Sequence, residues 1–122
     1  MYDAVLIGAN FHQAKIKHWS LDYQEERMKL DNYAYFYRTD LKRANLSNVN
    51  LNSVSFEYTN LLQANLQNAN LDNARLDGAN LIGADLSGAS LNDAVLRGLI
   101  YSSETIFPEG TDLSKAYLAE QC

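Results

Sequence analysis

Large apolar residues recur at every fifth position through most of this chain. From Ala34 to Gly98, thirteen consecutive pentads each place Leu or Phe at the third position and Ala, Val or Thr two positions earlier. Five is the period of neither an α-helix nor a simple strand. Self-similarity at a short fixed period predicts a solenoid, in which each coil buries its apolar residues only against its neighbours. The central residues are Phe36, Leu41, Leu46, Leu51, Phe56, Leu61, Leu66, Leu71, Leu76, Leu81, Leu86, Leu91 and Leu96.

The same frame is present near the N-terminus, where it is centred on Leu6, Phe11, Ile16 and Leu21. The stretch from Gln24 to Tyr33 interrupts it. We therefore predict one domain over residues 1–122, with repeats at residues 4–23 and 34–103, a loop insertion at residues 24–33 and a C-terminal cap at residues 104–122.

Each pentad divides into an extended part and a turn. Two inward positions separated by one outward residue alternate as in a strand, so the other two residues must turn the chain. Asn, Asp, Ser and Gly occupy most outward and turning positions, which suits residues that accept turn geometry and cap backbone groups.

The pentads ANLQN at residues 64–68 and ADLSG at residues 84–88 typify the pattern, which resembles that of the pentapeptide repeat family. The resemblance implies an all-β solenoid, a right-handed quadrilateral parallel β-helix with twenty residues per coil and about four to five coils. Residues twenty apart would then stack into core ladders, one of which would contain Phe36, Phe56, Leu76 and Leu96.

The two ends of the solenoid need covering, because open coils expose apolar surface and unpaired backbone groups. After Gly98 the pattern decays, with Tyr101 and Ile106 still in frame. Asp112 is placed to cap a short C-terminal helix over TDLSKAYLAEQC. At the other end, either residues 24–33 fold back over the first coil or a second molecule covers it, which would give a homodimer through an uncapped coil end.

The insertion itself carries a helix-start signal. Asp22 and Glu25 have the spacing of a capping box, and residues 26–30 could complete a turn or two of helix. The insertion is then either a recognition loop, a cap or a solvated loop.

Composition narrows the classes of function. The formal charge of -5 and the pI near 4.8 argue against a nucleic-acid-binding protein. Residues 1–43 carry seven Lys or Arg and six acids, whereas residues 44–122 carry three and nine. The N-terminus lacks the pattern of a signal peptide or a membrane span, so we expect a cytoplasmic protein without membrane contact.

No catalytic constellation is evident. His12 and His18 sit at outward positions of neighbouring pentads, with no Cys nearby and no carboxylate at a ligand spacing. The only cysteine is Cys122, so no intrachain disulfide can form. We expect no enzymatic activity, no cofactor and no bound metal.

Exposed aromatic and basic residues form the best candidate for recognition. An inward Phe36 sends Tyr35 and Tyr37 outward, and Tyr58 falls about one coil above Arg38. Either these tyrosines bind a partner or the insertion folds onto them and they are packing residues. On another face, Leu62 and Ile82 form an apolar column where polar residues are usual. The candidate partner-binding residues are Tyr35, Tyr37, Arg38, Tyr58, Lys42, Arg43, Leu62 and Ile82.

The resulting hypothesis is a non-enzymatic protein–protein interaction or scaffold module whose partner is unknown. The family resemblance implies an alternative, a DNA mimic that protects or inhibits DNA gyrase or another topoisomerase. The outward column containing Asn45, Asn65 and Asp85 carries mostly neutral amides, which weakens that alternative. A detached repeat segment of a larger regulatory protein is a third interpretation.

Overall fold

The chain stacks on itself with a spacing of twenty residues. The computed structural model describes the backbone of residues 19–22 and 27–30, and the backbone and side chains of Phe36 and residues 38–119. In the repeat region, single residues pair as parallel bridges in four columns, which define four faces of the coil. Face 1 has Asp40, Asn60, Asn80 and Ile100; face 2 has Asn45, Asn65, Asp85 and Ile106; face 3 has Asn50, Asn70 and Ser90; face 4 has Ser55, Arg75 and Val95. This is the predicted parallel β-helix with four pentads per coil.

Every backbone N–H finds a partner in the pentad from Leu61 to Asn65, which typifies a repeat with a bridging Asn. The N–H groups of residues 61 and 63 donate to carbonyls of the next coil, at 2.8 Å each, and that of residue 65 donates to the preceding coil at 2.9 Å. The N–H of Ala64 donates to the Leu61 carbonyl across the turn. The remaining donor, Leu62 N–H, bonds the Asn60 side chain at 3.1 Å. Because buried backbone groups must be paired, this pattern explains why one short sequence can repeat without a helix or a long strand.

The Asn and Asp columns therefore have a structural role. In eight pentads the Oδ1 atom of the bridging Asn or Asp accepts the N–H two residues later, at 2.9–3.1 Å. Asn and Asp serve equally, since both offer this oxygen.

The corners of the coil require left-handed backbone. Every fifth residue from Arg38 to Gly98 has a positive φ, between 55° and 74°. The left-handed region is sterically unfavourable for residues that have a Cβ atom, whereas Gly adopts it without this cost. At Gly78 a Cβ atom would also lie 2.5 Å from the ring of Tyr58, so the side chain of the coil below occupies the space that a larger residue would need.

The core is a set of single-file ladders. The predicted central residues from Phe36 to Leu86 are all buried, as are the Ala, Val and Thr residues beside them. Phe36 and Phe56 stack with ring centroids 5.1 Å apart and planes 6° from parallel. Thr59, in a position usually held by Ala, donates its hydroxyl to the Phe36 carbonyl at 2.6 Å. The frame predicted from the sequence is thus confirmed for the described repeats from Phe36 to Leu96.

The frame slips by one residue after Tyr101. The turn there, in which Thr105 N–H donates to the Ser102 carbonyl at 3.0 Å, has the size of a repeat turn but starts one residue later, so Ile106 follows the bridging residue Ile100 by six positions instead of five. Ile106 consequently pairs with Asp85 on the outside and is 49% exposed. Phe107 takes the inward position and packs edge-on against Tyr101. The prediction that Ile106 stays in frame is wrong.

The predicted C-terminal helix is also wrong within the described residues 112–119, which form turns and a strand instead. Strand β3 (Ile100–Tyr101) pairs in parallel with β4 (Tyr117–Leu118). The N–H groups of Tyr117 and Ala119 donate to the Leu99 and Tyr101 carbonyls at 2.6 and 2.7 Å. Because the upper edge of the coil offers free carbonyls, the chain continues the coil there rather than closing bonds within a helix.

The N-terminal part contains a hairpin. Strand β1 (Trp19–Asp22) pairs antiparallel with β2 (Arg27–Leu30), with Trp19 opposite Leu30 and Leu21 opposite Met28. The helical turn predicted at residues 26–30 is therefore wrong, and the backbone around Leu21 is not a coil of the predicted kind. Apolar and polar residues alternate in both segments, which is the signal of two strands joined by a short turn.

We predict that Leu66→Ala lowers the free energy of unfolding by about 2–5 kcal/mol, because it leaves a cavity between two other rungs of a ladder. Leu66 is fully buried. The matched change Gln67→Ala removes part-buried hydrogen bonds to Asp85 and Ser87 and should cost only about 0.5–1.5 kcal/mol. Urea unfolding measures both, and equal costs would contradict the assigned frame.

A second prediction concerns the corner glycines. Gly78→Ala should destabilise the fold more than Gly98→Ala. Both substitutions place a Cβ atom on a residue with a positive φ, but only at residue 78 would this atom also clash with the Tyr58 ring. The nearest atom to a Cβ at residue 98 is 3.7 Å distant. We expect Tyr58→Ala to relieve the excess cost of Gly78→Ala in a double-mutant cycle measured by urea unfolding. Additive costs would show that the ring is not held over Gly78.

Candidate functional site

Face 1 presents side chains that differ from the rest of the solenoid. On each coil its outward positions are the corner residue, the bridging residue and the residue after the core Leu. In the second described coil these are Tyr58, Asn60 and Leu62. In the third they are Gly78, Asn80 and Ile82. The bridging Asn side chains bond their own turns, so the residues on either side are the ones available for contact.

Tyr58 is the aromatic residue of the predicted site that lies within the described part of the chain. Its side chain is 56% exposed, and its backbone has a φ of 57°. The ring lies over Gly78, where the missing side chain leaves room for it. A tyrosine fixed in this way offers contact area at low entropic cost, since its orientation is already limited by the coil above.

Leu62 and Ile82 stack on the other side of the face. Both are half-buried and stand twenty residues apart, and they follow bridging residues that pair directly with each other. The structure brings them onto the same face as Tyr58, whereas the sequence alone assigned them to another face.

Two further residues extend this apolar surface and were missed. Ile100 replaces Asn in the bridging column of face 1, and Tyr117 pairs above it with 65% of its side chain exposed. An apolar residue in a column of Asn and Asp would have identified Ile100. Tyr117 could not be placed while a helix was expected. We call Tyr58, Leu62, Ile82, Ile100 and Tyr117 the apolar column.

Basic residues border the apolar column on its N-terminal side. Arg38 occupies the corner below Tyr58, and Lys42 precedes Leu62 in its own column. Both are exposed. Arg43 lies at the next corner, where its Nε donates to the Gln63 side chain at 3.0 Å. The structure thus brings together six predicted site residues along one face and its corner. Tyr35 and Tyr37 lie outside the described residues, as do His12 and His18.

The outward side chains of the other faces form more contacts with one another than those of face 1 do. On face 2, the Gln67 amide donates to Asp85 at 2.8 Å. On face 3, Asp72 accepts both the Ser90 hydroxyl and the Asn92 N–H. These faces present polar groups that already satisfy one another, which favours a structural role over selective binding.

Face 4 carries a small ion network that the sequence analysis did not identify. Asp77 lies 3.6 Å from both Arg75 and Arg97, and Arg75 also lies 3.7 Å from Glu57. One oxygen of Asp77 is buried without a hydrogen-bond partner. The two arginines are more than half exposed, so the network is partly screened by solvent and contributes little to stability.

Clusters of metal-ligating residues and membrane-spanning helices are both absent from the part of the chain that the structure describes. No group of three or more His, Cys, Asp or Glu side chains could hold a metal ion there. None of its segments forms a helix of the length and apolarity needed to cross a membrane.

Three solved structures of repeat proteins are similar to this chain. Rfr23 from the cyanobacterium Cyanothece 51142 shares 36% identity over 60% of this chain and 56% of its own, with a TM-score of 0.41. A protein from Nostoc PCC 7120 shares 31% identity over 72% of this chain and 78% of its own, with a TM-score of 0.42. HetL, a protein involved in heterocyst differentiation regulation in the same strain, shares 34% identity over 68% and 40%, with a TM-score of 0.33.

The chain therefore spans little more than half the length of Rfr23 and less than half that of HetL. All three structures are described as pentapeptide repeat proteins. A search of curated proteins found no match.

A family profile described as pentapeptide repeats matches residues 32–63 and 59–98, with eight copies. The matched region covers more than half of the 122 residues. It coincides with the coils whose backbone pairing is described above. The chain belongs to the pentapeptide repeat family.

Proposed function

We propose that this chain is a non-enzymatic protein-binding module and that face 1 is its contact surface. The observation that carries the proposal is the alignment of the apolar column along one face of a rigid solenoid. Its members come from three successive coils and from β4, so no single local sequence accounts for their juxtaposition. At these positions the fold requires only a side chain that hydrogen-bonds to the turn or that the turn tolerates. The fold therefore does not explain why these residues are apolar.

The chemistry of face 1 suits a protein partner better than a small ligand. Interfaces are enriched in Tyr and Arg and place apolar residues at the centre with polar groups at the rim. Here Tyr58, Leu62 and Ile82 form the centre, and Arg38 and Lys42 lie at the N-terminal rim. A complementary partner would present an apolar strip with carboxylates beside one end of it.

We predict that Tyr58→Ser combined with Leu62→Ser abolishes partner capture while the fold survives. The matched control is Ile106→Ser, which removes an exposed apolar side chain from face 2. Intact chain of each kind would be used as bait in lysate of the source organism, with captured proteins quantified by mass spectrometry. A partner of face 1 should fall by about tenfold or more, as expected for loss of central contacts, and remain with the control.

Thermal unfolding distinguishes binding from packing. Tyr58 is exposed and Leu62 is half-buried, so the double variant should lose no more than about 1–2 kcal/mol of stability. Capture that persists at native stability would exclude face 1 as the contact surface. A larger loss of stability would show instead that these residues are packing residues.

DNA mimicry is the alternative, and the geometry gives a reason against it. A mimic of duplex DNA needs regularly spaced negative charge, whereas the four bridging columns hold acidic residues only at Asp40 and Asp85 among the described residues. The Oδ1 atoms of these columns also accept backbone N–H groups, so the repeat itself accounts for the Asn and Asp side chains there.

We therefore predict that the intact chain does not relieve quinolone inhibition of DNA gyrase and does not inhibit the enzyme in a supercoiling assay. A family member known to protect gyrase serves as the positive control. Protection or inhibition at a stoichiometric amount of this chain would support the mimic and overturn the preference for face 1.

A further inference from the structure

The last level of the solenoid is complete on two faces and open on the other two. On face 1, β4 supplies donors to the Leu99 and Tyr101 carbonyls. On face 2, Leu86 N–H donates to the Ile106 carbonyl at 2.7 Å. The described residues provide no such cover for the edge formed by residues 89–96, on faces 3 and 4, and this edge differs from the same edge one coil below.

The difference is visible in the backbone. In the coil below, the N–H groups of Leu71, Asn73 and Leu76 donate to the next coil at 2.7–2.8 Å. The equivalent N–H groups of Leu91, Asp93 and Leu96 have no acceptor among the described residues, and the carbonyls of Ala89 and Ala94 have no donor there. Leu91 and Leu96 are also only partly buried, whereas the rungs below them are fully buried.

A cleft of about 850 Å³ lies above this edge. Its opposite wall is the segment from Pro108 to Lys115. Part of that wall keeps the local geometry of a repeat, since Ser114 N–H bonds the Asp112 side chain at 2.9 Å and Ala116 N–H bonds the Leu113 carbonyl at 3.0 Å. It makes none of the bonds to the edge that a further coil would make. The volume is within the range of ligand-binding clefts.

We propose that this cleft binds an extended peptide segment of another protein, which adds a parallel strand to the edge of residues 89–96. Face 1 of the same coil already shows the mode, because β4 is an extended segment paired in parallel on the continuation of this edge. The peptide's carbonyls would accept the N–H groups of Leu91, Asp93 and Leu96. Its own N–H groups would donate to the carbonyls of Ala89 and Ala94.

The floor of the cleft defines the side chains of this peptide. Leu91 and Leu96 end two core ladders, so the peptide needs two aliphatic residues spaced five apart, one above each. Small residues must precede each aliphatic residue by two positions, as they do in the coils below. The charged residues around the cleft are Asp93, Arg97, Glu109, Asp112 and Lys115, three acids and two bases. This near balance favours recognition by backbone and apolar contacts rather than by net charge.

The chain itself supplies a suitable probe. A synthetic peptide copying residues 88–97, GASLNDAVLR, carries the groups that pair with the equivalent edge one coil below. There, the N–H groups of Ser90 and Val95 donate to the Ala69 and Ala74 carbonyls at 3.0 and 2.9 Å. The control peptide has the same sequence with methyl groups on the nitrogens that correspond to Ser90 and Val95, which removes those two donors.

Fluorescence anisotropy of the labelled peptide with the full chain tests the proposal. We expect saturable binding with one site per chain and at least tenfold weaker binding of the methylated peptide. In the protein, Leu91→Asp should abolish binding, whereas Ile106→Asp on face 2, an exposed position outside the cleft, should leave it unchanged. Thermal unfolding of both variants confirms that they are folded, and the comparison of the two peptides needs no variant.

Amide hydrogen exchange gives a second readout. The bound peptide should slow exchange at Leu91, Asp93 and Leu96 by about tenfold or more. Equal binding of the two peptides, loss of binding with Ile106→Asp alone, or no binding at millimolar peptide would overturn the proposal. So would sedimentation showing that two copies of the chain cover this edge, or exchange already slow in the free chain because residues 108–115 close onto it.

Discussion

Hydrogen bonding between residues twenty apart is the interaction on which the rest of this structure depends. Each face contributes one bridged residue per coil, so no long strand holds the register locally. The register survives because successive pentads repeat the same backbone bonds, and in eight of them an Asn or Asp side chain accepts the one N–H that the neighbouring coils cannot reach. One added residue within the coils would move the following Leu residues from the inside to the outside. The chain adds residues only beyond Tyr101 in its described part, where few coils follow.

This constraint leaves few positions free for function. The core Leu, the small residue before it, the bridging Asn or Asp and the left-handed corner each have a physical requirement. The corner position accepts more than one residue type, as Arg38 and Tyr58 show. A bulky residue at a corner nevertheless requires space in the next coil. The position after the core Leu has no requirement beyond an N–H. On face 1 this position is occupied by Lys42, Leu62 and Ile82. Because the fold does not determine these residue types, we look for a functional reason for them.

The sequence predicts the repetitive part well and the irregular parts poorly, for one physical reason. Thirteen pentads in phase report the same inward position many times, so the ladders and the outward direction of Tyr58 follow from counting. The turn at residues 102–105 occurs only once, and nothing in its sequence, SSET, indicates that a residue has been added. The segment TDLSKAYLAEQC has a helical pattern, but the open carbonyls of the coil below compete for its N–H groups. The alternation in RMKL was visible, yet the capping-box spacing in front of it suggested a helix.

The same irregularity determines how each part of the surface can recognise a partner. In the regular coils most backbone groups are paired, so recognition there relies on side chains, as on face 1. At the upper end, one residue is added before each of the turns at residues 102–105 and 108–111. These additions carry the chain away from the edge of residues 89–96. Its backbone donors and acceptors are left without the coil that would have covered them. Backbone recognition is therefore confined to the place where the repeat fails, and a partner that uses it must itself supply an extended strand.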